Sequence, residues 1–219
     1  MKIVDLDKLL PADIPEGERV LWFGRPEWVS LLRHAYRADL VATYFGALAI
    51  WNAAVDSEAG AMAAGVAIGK SLVLAALCLG LLGLLAWLSA RTTLYVITSR
   101  RIVMKVGIAL PIFFNIPYSQ IASVALRKFK DGTGDIPLAL APGRRIALLH
   151  LWPHARPFHV ANPQPALRSI ADVGEVAETL RQAMIAEAQT RLGMATVTAP
   201  AQGATSAQNE TFPSGAVAA

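Results

Sequence analysis

The sequence predicts an α+β membrane protein: a transmembrane helical hairpin, then a β-barrel or sandwich of about seven strands, closed by one C-terminal helix. Three observations lead there. Residues 71–90, SLVLAALCLGLLGLLAWLSA, carry no charge, and at about 1.5 Å per residue they cross a hydrocarbon core about 30 Å thick. From residue 92 the apolar pattern shortens to alternating, β-branched runs broken by turn residues. After Pro163 and Pro165 the helical period returns, with Val173, Val176, Ala177, Leu180, Met184 and Ile185 on one face.

Composition narrows the function classes. The 219 residues are 54% hydrophobic and 16% charged, with a mean hydropathy of +0.44, too apolar for an ordinary soluble domain. The single cysteine, Cys78, lies inside the apolar run and excludes a disulfide framework or a cysteine metal site within one chain. The first twenty residues, MKIVDLDKLLPADIPEGERV, lack the continuous apolar stretch of a cleaved signal. Charge is unevenly spread. Residues 1–37 hold six basic and six acidic groups, whereas 91–161 hold ten basic groups against Asp131 and Asp135. A basic domain beside a membrane is drawn to anionic headgroups or an acidic partner; its tether argues against nucleic acid.

The elements follow in order. Residues 1–34 form an N-terminal arm and an interfacial segment: Pro11 and Pro15 break any helix, 20–23 is a short strand closed by Gly24 and Pro26, and 28–37 mixes apolar groups with Arg33, His34 and Arg37. Residues 35–90 hold two spans, the first over 35–54 and the second over 71–90, with a loop at 55–70. Arg33, Arg37, Arg91, Arg100 and Arg101 flank the outer ends, while the loop carries only Lys70. The positive-inside rule therefore puts both termini in the cytoplasm. Gly65 and Gly69 have a small-xxx-small spacing. Residues 91–193 make the cytoplasmic domain, with strands at 92–98, 101–107, 112–116, 120–127, 136–140, 145–152 and 158–161, and a helix that Asp172 caps and Gly193 ends. The tail, 194–219, is polar and small-residue-rich and reads as disordered.

Few motifs carry chemistry. His150, His154 and His159 crowd into HLWPHARPFHVANP. Three imidazoles invite a metal or pigment reading, but Pro153 and Pro157 keep them off one helical face, and no carboxylate or cysteine sits beside them. Trp152, His154, Arg156 and Phe158 fit a partner-binding loop. Residues 131–135, DGTGD, lack the ligand count of a calcium loop and read as a hairpin turn. No nucleophile–base pair or Gly-rich cofactor motif is visible, so the chain is expected not to be an enzyme and to need no cofactor.

The order EGERVLWFGRPEW, two spans, TLYVITSRRIVMKVG, IPYSQIASV and a final helix resembles the bacterial PH-like membrane domain family. RPEWVSLLRHAYRADLVATYF, DGTGDIPLAL and LHLWPHARPFHVANPQPALR resemble the members of that family that assemble photosynthetic complexes in purple bacteria. The resemblance implies a seven-stranded PH-like barrel with a closing helix, and an inner (intracytoplasmic) membrane location. It also implies a non-catalytic role with reaction-centre subunits and core light-harvesting proteins as partners, and self-association as a homodimer. The partner surface it points to comprises Asp131, Asp135, His150, Trp152, His154 and Arg156. The basic surface comprises Arg91, Arg100, Arg101, Lys105, Arg127 and Lys128. Two alternatives stand beside it: an anionic-lipid-binding or membrane-organising module, and a pigment or metal carrier using His150, His154 and His159.

Overall fold

A computed structural model of the chain describes residues 15, 17–141, 152–155 and 163–198, with the side chains of 59 and 194–198 left aside. The strands expected at 145–152 and 158–161, apart from Trp152, and the tail from 199 onward lie outside the described residues. Strand β1 (Val20–Gly24) leads into a short helix, α1 (Trp28–His34). Helices α2 (Ala38–Asp56) and α3 (Ala61–Thr92) form an antiparallel hairpin, joined by a single 3-10 turn at Ser57–Ala59. Strands β2 (Leu94–Thr98), β3 (Arg101–Val106) and β4 (Ile112–Pro117) follow, then β5 (Ile121–Val124), β6 (Arg127–Lys128), β7 (Gly134–Leu140), β8 (Ala166–Ile170) and helix α4 (Val173–Thr198).

The hairpin's two helices are each long and apolar enough to cross a membrane. Their contact is made by small groups: Ala49, Ala67 and Ser71 are buried, and Asn52 Nδ2 donates to Ser71 Oγ at 3.2 Å. The large apolar side chains point outward, among them Ile50, Trp51, Leu72, Leu77 and Leu81. Helix α3 begins ten residues before the expected span and absorbs most of the expected loop. Glycine costs about 1 kcal/mol in a helix relative to alanine, but Gly65 and Gly69 stand among alanines, and Ala67 and Ser71 between and beyond them pack on α2. A Cβ at Gly65 or Gly69 would meet open space, so their spacing does not serve the hairpin's own contact.

The β-domain is two antiparallel sheets. One is the meander β1-β2-β3-β4; in the other β7 pairs with β5, β6 and β8. Alternate residues of β2 and β3 (Tyr95, Ile97, Ile102, Met104) meet Ile136, Leu138, Leu167 and Ile170 of the second sheet, as strand periodicity requires. Helix α4 caps this core with Val173, Val176, Leu180 and Ala183. Of the apolar stripe read from the sequence, Val173, Val176, Ala177, Leu180 and Met184 face the core, but Ile185 is exposed and Ala183 is buried in its place, and the helix continues past Gly193 to Thr198.

Strand β8 was not expected. Every residue of ALRSI is buried, Arg168 and Ser169 included, so the segment has no polar/apolar alternation to read. On the other face of the first sheet Leu94, Val96 and Val103 are buried and cluster with Val20 and Phe23.

Leu180, fully buried between α4 and the sheets, gives a direct check on this core. Leu180→Ala should lower unfolding stability by about 2–5 kcal/mol in detergent, while Leu81→Ala, on the exposed face of the hairpin, should leave it nearly unchanged. Denaturant titration followed by circular dichroism measures both.

Candidate functional site: the junction of hairpin and domain

Helix α3 ends at Thr92, and the backbone becomes extended at Thr93. This short step places two buried side chains, Thr93 and Tyr95, at the foot of the hairpin. His154 reaches between them. Its Nδ1 lies 2.6 Å from the Tyr95 hydroxyl and its Nε2 3.0 Å from Thr93 Oγ1. The Tyr95 oxygen also accepts the Arg168 backbone N–H at 3.2 Å. Its own proton is then directed at His154 Nδ1, which leaves Nε2–H to donate to Thr93.

Arg168 is the centre of the junction. Its Nη1 donates to the Pro153 carbonyl at 3.2 Å and its Nη2 to the His34 carbonyl at 3.1 Å, and its Nε faces Asp135 Oδ2 at 3.4 Å. Asp135 is equally buried and accepts the Ser169 N–H at 2.9 Å. Ser169 has a φ of 51°, a left-handed conformation that a non-glycine residue adopts at a cost. Two hydrogen bonds hold it there: the one to Asp135, and the Glu27 N–H donated to the Ser169 carbonyl at 2.7 Å.

Helix α1 is pinned from several sides. Ser30 bonds Thr133 Oγ1 at 2.6 Å in the β6–β7 turn, and the His34 ring stacks on Phe129 at 3.7 Å. Leu31 and Tyr36 pack on Ala86, and the Tyr36 hydroxyl meets Ser89 Oγ at 2.8 Å. One network therefore joins α1, the end of α3, β7, β8 and the 152–155 segment.

The residues expected to form a partner surface fall into three groups. Asp135 and His154 are interior. Asp131 is exposed and holds the β6–β7 hairpin turn, accepting the Thr133 hydroxyl and N–H; the Thr133 bond holds its carboxyl below the usual range. Trp152 is exposed, with its ring edge-on to Tyr36 at 5.3 Å. His150 and Arg156 lie outside the described residues, as does His159. Among the described residues, no group of three or more His, Cys, Asp or Glu side chains could hold a metal.

The basic residues do not form one continuous surface. Arg91 and Lys105 stand at the hairpin end of the domain. Arg100 and Arg101 sit at the other end of β2 and β3, about 15 Å away at the rise of a strand. Arg101 is also bound by both carboxylate oxygens of Glu18, at 2.9 and 2.8 Å. This pairs a residue of the N-terminal arm with the sheet. Arg127 and Lys128 are exposed on β6, with the Arg127 guanidinium 5.3 Å from the Phe129 ring centre. The sequence reading missed Arg168, Thr93 and Tyr95; nothing in the spacing of residues some sixty positions apart announces them.

Burial, with the Arg168 charge adding to it, pushes the His154 pKa from 6.5 down to about 3. The folded state therefore takes up fewer protons than the unfolded one. This contribution is complete above about pH 6.5 and is lost as pH falls below it. As pH falls from about 6.5 towards 5.5, above the range where the carboxylates of the unfolded chain titrate, the folded-to-unfolded ratio should drop by up to about tenfold per pH unit. His154→Gln should remove that slope; melting curves at a series of pH values measure it. Separately, Arg168→Met leaves Asp135 buried and unpaired and should cost about 3–5 kcal/mol. Adding Asp135→Asn should recover part of the loss, as urea unfolding of the single and double variants will show.

The chain matches the model of the Bacterial PH domain family over residues 43–184, a stretch that begins inside the first apolar helix and includes α3, strands β2 to β8 and the first half of α4. It is 37% identical over 177 residues, 80% of this chain and 83% of the relative, to a Rhodobacter capsulatus protein named as an uncharacterized 23.7 kDa protein in the puhA 5′ region. No solved structure matches. A two-sheet domain capped by one helix and joined to an apolar hairpin, matched by that model over more than half of its length, belongs to the Bacterial PH domain family.

Proposed function

We propose that this protein is a non-catalytic, membrane-anchored assembly factor for the photosynthetic reaction centre and its core light-harvesting complex, similar to the assembly protein PuhB. The observation that carries the reading is the outward-facing apolar surface of α2 and α3, fixed through Arg168 to a folded domain. Exposed apolar area on this scale needs an apolar surrounding, and lipid and partner helices both supply one. The hairpin spans the inner (intracytoplasmic) membrane with both termini in the cytoplasm. Arg33, Arg37 and Arg91 flank its outer ends, and the turn at its far end carries Asp56 and Glu58.

The choice of partners is supported by the relative from the puhA 5′ region and by the resemblance of the DGTGDIPLAL and LHLWPHARPFHVANP stretches to such assembly proteins. The domain lies against the membrane face and acts by contact. A second copy of the chain is a further partner, through the same exposed helices. Trp152, exposed beside Tyr36 at the junction, and Arg127 and Lys128 on β6 are the side chains placed to meet a cytoplasmic segment of a partner.

Affinity purification of the tagged protein from phototrophically grown cells tests the proposal. Reaction-centre and core light-harvesting polypeptides should be enriched, and Arg127→Glu combined with Lys128→Glu should reduce their recovery. Recovery no higher than with an unrelated tagged hairpin protein would overturn it.

A further inference from the structure

The end of the hairpin carries a cleft of about 290 Å³ lined by Arg25, Arg91, Lys105, Gly107, Ile108 and Pro111, with backbone and side chains of 92–94 behind them. Three of its lining residues are cations and none is an acid. Arg91 rests on the Trp87 ring at 4.8 Å and Lys105 on Phe113 at 5.5 Å. Among the described residues, none of the three cations has an ion-pair partner. A second cleft, about 330 Å³, shares Arg25 and Arg91, is walled by Trp28 and Trp87 and has one acid in its lining, Glu27. The two guanidiniums thus stand between a cationic recess and an aromatic one.

The chain around the recess is shaped to hold it open. Gly107 has a φ of 113°, and a Cβ there would run into the Leu110 carbonyl oxygen, so the β3–β4 loop turns tightly at that point. The turn presents Ile108 and Leu110, 41% and 79% exposed, beside the cations. Exposed apolar loop residues, amphipathic tryptophans and unpaired cations at one level are what a protein offers to the boundary between hydrocarbon and headgroups.

We infer that this cleft binds the phosphodiester of an anionic phospholipid headgroup. The inference rests on the membrane-spanning reading of the hairpin, which sets Arg91, the first charge after 71–90, at headgroup depth. A phosphodiester monoanion accepts hydrogen bonds from guanidinium and ammonium groups, and the net positive charge of the recess selects an anionic lipid over a zwitterionic one. Trp28 and Trp87 flank the route from the recess to the acyl chains. The bound lipid fixes the height and tilt of the domain over the membrane. A soluble phosphate shares the same chemistry, and the test separates the two sources.

The full chain is reconstituted into phosphatidylcholine vesicles containing phosphatidylglycerol, with bromine on the acyl chains of one lipid or the other, and tryptophan quenching is compared at equal mole fraction. Brominated phosphatidylglycerol should quench more strongly. Arg25→Gln, Arg91→Gln and Lys105→Gln should each lower that preference about fivefold, and Arg100→Gln, at the far end of the sheet, should not. Inorganic phosphate should leave the preference intact; its loss as phosphate is added would overturn the lipid assignment in favour of a soluble anion. Equal quenching by both lipids, with the protein resisting carbonate extraction, would overturn the cleft and leave the spanning reading standing. Extraction by carbonate would overturn both.

Discussion

The architecture depends on one buried cation. Arg168 lies inside the protein beside Asp135, and a charge removed from water is tolerated only when its partners are in place. Those partners come from separate parts of the chain: a carboxylate on β7, the carbonyl of Pro153, and the carbonyl that ends helix α1. The Arg168 backbone adds a fourth link, through the Tyr95 hydroxyl to His154. Each partner is correct only if its segment is correctly placed. An unpaired guanidinium or carboxylate there would cost several kcal/mol, so the pair disfavours alternative arrangements of these segments whatever its net contribution to stability.

What the pair organises is the join between two unlike parts. A helical hairpin with small-residue contacts and an apolar exterior has little to bind a β-domain except its end. Here the end of α3 runs directly into β2, α1 lies along it through Leu31, Tyr36 and Ala86, and α1 is in turn held by Arg168 and Thr133. The domain therefore has one orientation relative to the helices. For the assembly role proposed above, which needs partners held at a membrane face, a fixed platform is the useful property. The clefts around Arg25 and Arg91 sit at that same join.

The gross plan was readable because it follows from local physics. Uncharged length shows the second helix, β-branched alternation shows β2 to β4, and a 3.6-residue stripe shows α4. The failures have equally physical causes. Helix α3 started early because alanine neighbours and the α2 contact outweigh two glycines. Strand β8 went unseen because a strand buried on both faces, with an arginine in it, has no alternation. The histidine-rich stretch pointed to ligation or docking, but His154 is taken by Thr93 and Tyr95, partners 61 and 59 positions away. Asp135, read as part of a turn, is the counterion of Arg168. Residues 131–134 of DGTGD do form the hairpin turn that their composition suggests, with the Phe129 N–H bonded to the Thr133 carbonyl at 2.8 Å. Composition showed the excess of basic residues, but only the fold separates Arg91 and Lys105 at the hairpin end from Arg100 and Arg101 at the other.

The central claim is that hairpin and domain move as one body. Paired spin labels at Leu72→Cys on the exposed face of α3 and Glu178→Cys on the exposed face of α4, in a Cys78→Ser background, measure it by pulsed electron–electron double resonance. A single narrow distance distribution that broadens on Arg168→Met is the result the account requires. A broad or multimodal distribution in the chain with Arg168 intact would contradict it.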